Sequence, residues 1–284
     1  MDAADRDPKV AFVLSGGGNR GAMEVGVLLA LLEQGIRPDM LVGTSVGAIN
    51  AAAVAARPTL EGVRWLEGIW RDVTKKDVMP NNYLSMVWRL IKGETSLFTN
   101  DNLREFLWSH FPDGIRRFAD IKGAELYITA VDLHTKLLHI FGIDRSESIL
   151  DAIMASTALP VFLAPWQYRG RHYVDGGVIS DLPMRVAVDR DATEIFAVDV
   201  GARRASRWSP RGILHHAGRI IDAISEQQVT EELQWATKSA HVDVHYIRLD
   251  SFETLRVWDF SKTSEMIAEG KRVGVDHLRQ HGLA

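Results

Sequence analysis

There is no cysteine among the 284 residues, which excludes disulfides and thiolate chemistry and says little about compartment. No apolar run reaches the ~18 residues that a membrane-crossing helix needs. The opening Met1-Asp2-Ala3-Ala4-Asp5-Arg6-Asp7-Pro8 is too polar and acidic to read as a secretory signal. No His-Glu-x-x-His or clustered carboxylate motif is present, so neither a metal nor a cofactor is expected. Positive charge is not in excess either: a net charge of −4 argues against nucleic acid as a partner. The expected setting is the cytoplasm, with transient contact at a membrane surface. What is present, 46% hydrophobic and 25% charged residues, is ordinary for a globular protein of one large α/β domain or a domain with an appendage.

The most informative segment is Gly43-Thr44-Ser45-Val46-Gly47. It follows a short apolar stretch behind Pro38 and leads into Ala48-Ile49-Asn50-Ala51-Ala52-Ala53-Val54-Ala55-Ala56, residues mostly of high helix propensity. A serine between two glycines, entered from a strand and left by a helix, is the nucleophile-elbow arrangement. The tight turn leaves no room for Cβ atoms at 43 and 47, and it sets the Ser45 hydroxyl at a helix N-terminus, where developing negative charge is favoured. At ordinary glycine usage such a pentapeptide arises in roughly one chain in ten of this length. Its context therefore has to carry the argument.

A second glycine motif supplies that context. Val10-Ala11-Phe12-Val13-Leu14 reads as a buried strand, Ser15-Gly16-Gly17-Gly18-Asn19-Arg20-Gly21 follows at once, and a helix pattern from Ala22 closes at Gly35. A strand, a glycine loop and a helix make a cradle of backbone N–H groups for an anion. One reading is a nucleotide- or anion-binding module without hydrolytic activity, because Gly16, Gly18 and Gly21 match Gly-x-Gly-x-x-Gly and Asp39 stands where a ribose-binding acid would. The other is an oxyanion hole serving the serine one strand later.

The third motif is Asp175-Gly176-Gly177. Trp166-Gln167-Tyr168 and His172-Tyr173-Val174 flank Arg169-Gly170-Arg171 as a hairpin, and Asp175 leaves its second strand into the Gly-Gly loop. Upstream, Ala155-Ser156-Thr157-Ala158-Leu159-Pro160 is a small-residue helix end broken by proline. Alone, Asp-Gly-Gly also reads as an ordinary turn.

These four motifs, in this order, resemble the patatin-like phospholipase family over residues 9–200. The resemblance implies a three-layer α/β/α sandwich around a mainly parallel sheet, and a serine lipid acyl hydrolase that uses a Ser–Asp dyad. Carried over, it implies Ser45 as nucleophile, Asp175 as general base, and the loop of Gly16, Gly17, Gly18, Asn19, Arg20 and Gly21 as oxyanion hole. Asp-Gly-Gly stands where the family also has Asp-Gly-Ala. The implied substrate is a fatty-acyl ester, whether of the phospholipid, lysophospholipid, glyceride or simple ester type.

Apolar runs alternating with helical patterns independently favour a parallel sheet covered on both faces. Strands are expected at 9–14, 40–43, 125–133, 136–141, 173–174, 194–200 and 242–249, with helices at 22–34, 46–56, 59–71, 100–111, 149–157, 183–189, 214–238 and 261–279. A basic stretch at 201–212 reads as a linker. Residues 201–284 are too few to hold a core of their own, and are expected to pack on a catalytic domain at 9–200.

A dyad poses a chemical problem, since aspartate, with a reference pKa of ~3.9, is a weak base for a serine hydroxyl. Transfer concerted with attack remains workable if an oxyanion hole stabilises the charge as it forms. Activity is then expected to fall as the carboxylate protonates, below a histidine's ~6.5. A triad is the competing arrangement, through His215, His216, His241, His245, His277 or His281, which follow Asp175 in the order Ser…Asp…His. Finally, Tyr83, Leu84, Val87, Leu90 and Ile91 share one helical face. That stripe reads either as core or as a lip over an acyl groove.

Overall fold

The computed structural model describes residues 8–78, 100–160, 162–201, 212–239, 241–252 and 255–284, with backbone alone at 212–219, 221 and 222. The stripe at Tyr83, Leu84, Val87, Leu90 and Ile91 and most of the basic linker lie outside the described residues.

Among the described residues eight strands form one sheet: β1 (Val10–Leu14), β2 (Met40–Thr44), β3 (Glu125–Asp132), β4 (Leu137–Phe141), β5 (Trp166–Tyr168), β6 (Arg171–Asp175), β7 (Glu194–Asp199) and β8 (Asp243–Arg248). Their order is β5-β6-β3-β2-β1-β7-β8, with β4 also paired to β3. β3, β2, β1, β7 and β8 run parallel, while β4 and β6 pair antiparallel with β3, and β5 pairs antiparallel with β6 at that end. The hairpin strand is longer than the expected 173–174, because Arg169 and Gly170 both adopt positive φ and close a tight turn.

The parallel strands are apolar on both faces because both faces are covered. Along β1, Phe12 and Leu14 enter one core while Ala11 and Val13 enter the other; Phe196 and Val198 alternate with Ile195 and Ala197 along β7 in the same way. The first core lies under α1 (Gly21–Glu33), α2 (Val46–Ala56), α3 (Leu60–Asp72), α5 (Asp101–His110), α6 (Ile149–Ser156) and α9 (Thr263–Gln280). A short α4 (Lys75–Val78) precedes α5. The second core lies under α7 (Met184–Val188) and α8 (Gly212–Lys238). The result is the three-layer α/β/α arrangement.

α1 is buried from Gly21 to Leu32, between the sheet and α9. A helix apolar on every side is stable only when enclosed like this. The approach of α9 is backbone to backbone: a Cβ on Gly270 would stand 1.9 Å from the Met23 carbonyl oxygen, and one on Gly26 2.1 Å from that of Ile267. Lys271 adds an ion pair to Glu33 at 2.8 Å.

Candidate active site

The loops that leave β1, β2 and β7 at their C-terminal ends, together with the turn after β6, converge on one edge of the sheet, where open α/β sheets bind their ligands. Ser45 is the residue between β2 and α2. Its φ of 55° and ψ of −123° lie in a region that non-glycine residues rarely occupy. Such a backbone costs about 1–3 kcal/mol and persists only when its surroundings fix it. Here they do. A Cβ on Gly43 would fall 2.4 Å from the Gly47 carbonyl oxygen, and one on Gly47 2.5 Å from that of Leu14. The Ser45 N–H donates to Ser156 Oγ at 2.8 Å.

Asp175 ends β6 and is buried. Its N–H donates to the Ala158 carbonyl at 3.0 Å, and its Oδ1 accepts the Gly177 N–H at 2.8 Å. The Ser45 hydroxyl lies near enough to the Asp175 carboxylate to favour its charged form. Burial outweighs these bonds and pushes the carboxyl up to about 6. The small-residue segment at 155–160 is thereby explained, since Ser156 holds the serine's backbone while Ala158 holds that of the aspartate.

The glycine loop lies beside them: a Cβ on Gly16 would stand 3.3 Å from Ser45 Cβ. Not all six loop residues offer a donor. The Gly16 N–H is bonded to Asp181 Oδ1 at 3.0 Å, that of Asn19 to the Val257 carbonyl at 2.9 Å, and that of Arg20 to the Gly17 carbonyl at 3.4 Å. The Gly21 N–H turns back to the Gly18 and Asn19 carbonyls. Among the described residues, the N–H groups of Gly17 and Gly18 have no partner. The loop thus narrows to two open donors, joined by the first free N–H groups of α2.

Two sequence alternatives meet contrary geometry. Asp39, the would-be ribose acid, accepts the Val10 N–H at 2.9 Å at the start of β1, the end of the sheet opposite to the glycine loop. Among the described side chains no histidine bonds Asp175. His245 stacks on Phe196 and meets His277 and His281 edge-on, close to Glu194 at the start of β7. The side chains of His215 and His216 are outside the described set.

Several polar residues escaped the sequence reading. Ser156 was visible only as part of a small-residue motif. Asp181 is buried, accepts the Gly16 N–H, and is bonded by Ser225 Oγ from α8 at 2.5 Å; its one sequence signal is a charge set inside Val178-Ile179-Ser180-Asp181-Leu182-Pro183-Met184. Glu24 is enclosed beneath the loop, bonded by Asn50 Nδ2 at 2.7 Å, and burial holds its carboxyl well above the usual range. Trp70 Nε1 donates to Asn50 Oδ1 at 2.8 Å, which ties α1, α2 and α3 together.

The family described as patatin-like phospholipase matches residues 12–188. The chain is 27% identical over 289 aligned positions to patatin-like phospholipase domain-containing protein 7 of Rattus norvegicus, covering 93% of this chain and 20% of that protein. It is 30% identical over 203 positions to lysophospholipase NTE1 of Saccharomyces cerevisiae, covering 68% of this chain and 11% of that protein. It therefore spans a fifth or less of the length of these relatives. Among solved structures, VipD from Legionella pneumophila shares the fold at a TM-score of 0.52 and 15% identity, over 97% of this chain and 67% of that one. The span of the family match, together with four ordered motifs that meet at one sheet edge, shows that the chain belongs to the patatin-like phospholipase family.

Proposed function

We propose that the chain hydrolyses fatty-acyl esters of lipids, with Ser45 as nucleophile, Asp175 as general base, and the Gly17 and Gly18 N–H groups as the principal oxyanion donors. One observation carries the reading: the Ser45 hydroxyl, held out by a strained elbow, faces a buried carboxylate beside two N–H groups that have no partner among the described residues.

Ser45 Oγ attacks the ester carbonyl carbon as its proton passes to Asp175, and the carbonyl oxygen gains negative charge facing Gly17 and Gly18. A single such donor is worth ~3 kcal/mol. Collapse expels the alcohol, which takes the proton from Asp175. Water then attacks the acyl-enzyme, with Asp175 again as base, and releases the fatty acid. The weak-base problem is eased by burial. A carboxyl raised to about 6 is still largely ionised at neutral pH, and it is a better proton acceptor than an exposed aspartate.

The apolar end of the substrate finds support at the mouth of the site, where Val178 and Ile179, directly after Asp175-Gly176-Gly177, expose 42% and 38% of their surface. The relatives' names, phospholipase and lysophospholipase, point to a lipid ester and leave the alcohol open. A membrane or micelle surface is the natural place to meet such a substrate, and among the described residues no helix is long and apolar enough to cross a membrane. We read 9–200 as the catalytic segment and 201–284 as packed upon it; β8 beside β7 and α9 on α1 support the packing.

The test is a panel of acyl lipids and short p-nitrophenyl esters assayed with wild type and Ser45→Ala. Hydrolysis by wild type alone, increasing with acyl length, supports the reading. An anion-binding module would leave every ester intact.

A further inference from the structure

Four carboxyl groups, those of Asp175, Asp181, Asp199 and Glu24, gather at the C-terminal edge of the sheet, and the proposed reaction uses one of them. Asp181 is as enclosed as Asp175, and the two flank the same glycine: a Cβ on Gly177 would stand 3.1 Å from Asp181 Oδ1 and 3.2 Å from Asp175 Oδ1. On its other side lies Asp199, at the end of β7, which accepts the Gly201 N–H at 2.9 Å and the Tyr246 hydroxyl at 2.6 Å. Glu24 on α1 faces the same group from beneath the loop. Among the described residues each Asp181 oxygen has one hydrogen-bond partner. Oδ1 takes the Gly16 N–H, one residue before the two open donors, and Oδ2 meets Ser225 Oγ at 2.5 Å. The carboxyl thus joins the glycine loop to the turn that carries Asp175 and to α8.

Resting on the reading of the site above, we infer that Asp181 is a positioning residue that serves the reaction in its neutral, protonated form, and that its ionisation weakens the oxyanion hole. A negative charge there would stand against the loop that must receive a second negative charge, that of the tetrahedral intermediate. It would also be uncompensated by its own two neutral partners. Protonated, Asp181 donates through Oδ2 to Ser225 Oγ and still accepts the Gly16 N–H through Oδ1, so that geometry is kept without the charge. Burial, and after it the charges of Asp199 and Asp175, push this carboxyl up to about 7, above the about 6 of Asp175. Between those values Asp175 is the ionised base and Asp181 keeps its proton.

The consequence is a bell-shaped pH profile made by two carboxyls, with no histidine. Asp181→Asn mimics the neutral form: its Oδ1 accepts from Gly16 and its Nδ2 donates to Ser225. For kcat/KM on a short soluble ester, wild type should rise through about pH 6 and decline above about 7. Asp181→Asn should keep the acid limb and lose the alkaline one, exceeding wild type about tenfold at alkaline pH. Asp181→Ala, which frees the loop, should lose about tenfold or more in kcat with KM little changed. A stability measurement gives the answer without turnover. An unfolded aspartate ionises near ~3.9 while the folded Asp181 keeps its proton, so wild type should lose stability as pH rises from there to about 7. Asp181→Asn should flatten that decline.

An Asp181→Asn profile with the alkaline limb intact, an unchanged slope of melting temperature with pH, or an Asp181→Ala enzyme as fast as wild type would each overturn the inference. Wild type that neither hydrolyses esters nor reacts with a fluorophosphonate would instead overturn the reading of the site, and the melting series would still decide whether Asp181 holds its proton.

Discussion

Thr44 and Asp175 stand end to end along one edge of β3. β2 pairs with β3 as far as Thr44 opposite Thr129, and β6, running the other way, ends with Asp175 opposite Ala130, the next residue. β4 occupies the opposite edge, since it spans positions 128–132 that overlap both partners. The strand ladder itself therefore brings the residue after Thr44, Ser45, against Asp175. Thr44 and Thr129 reinforce the junction through hydroxyls 2.6 Å apart.

From this follows the behaviour of Ser45→Ala. The change removes one oxygen at a position set by backbone contacts, so the melting temperature should barely move. Ester hydrolysis should fall at least about a hundredfold. Substantial residual turnover in the purified variant would place the nucleophile elsewhere.

Asp175→Asn should be as damaging, because the amide still accepts the Gly177 N–H and cannot take the Ser45 proton. In wild type the proton-accepting form is lost as pH falls through about 6, so activity should decline on acidification across that value. That range overlaps a histidine's, contrary to the expectation from an unperturbed carboxylate, so the pH profile alone does not separate a dyad from a triad. Variant kinetics do: Asp175→Asn should be inactive, and His245→Ala, His277→Ala and His281→Ala should retain turnover.

Ser156→Ala leaves the part-buried Ser45 N–H without its acceptor. An unsatisfied donor of this kind costs about 1–3 kcal/mol. We expect a lower melting temperature together with a drop in kcat larger than any change in KM, since the elbow is loosened while the substrate surface is untouched.

How far the sequence revealed this site depended on the kind of contact involved. The elbow and the glycine loop were legible because backbone contacts force glycine at 43 and 47, and crowding by the Asp181 and Ser45 side chains forces it at 16, a constraint written directly into residue identity. Asp175 was legible through its position at a strand end before two glycines. Ser156, Asp181 and Ser225 were not, since each earns its role from a partner far along the chain: Ser156 from Ser45, Asp181 from Gly16, Ser225 from Asp181. Nothing in local spacing marks such pairs. The raised carboxyl of Asp175 was hidden for the same reason, because burial belongs to the assembled layers.

The union of α9 with α1 offers a test of the fold away from the chemistry. Gly270→Ala would force a methyl group to within 1.9 Å of the Met23 carbonyl oxygen, so the helices must separate. Overpacking of this kind costs about 3 kcal/mol. A thermal melt should show that loss, while the fluorophosphonate reactivity of the folded fraction should persist.

The central claim is that Ser45 is the activated nucleophile of a Ser–Asp dyad. The most direct measurement is peptide mass spectrometry after brief treatment with a fluorophosphonate, in wild type and in Asp175→Asn. The account predicts one adduct on the peptide carrying Ser45 in wild type, and little or none in Asp175→Asn. An adduct on another residue, or equal labelling of Ser45 without the carboxylate, would contradict it.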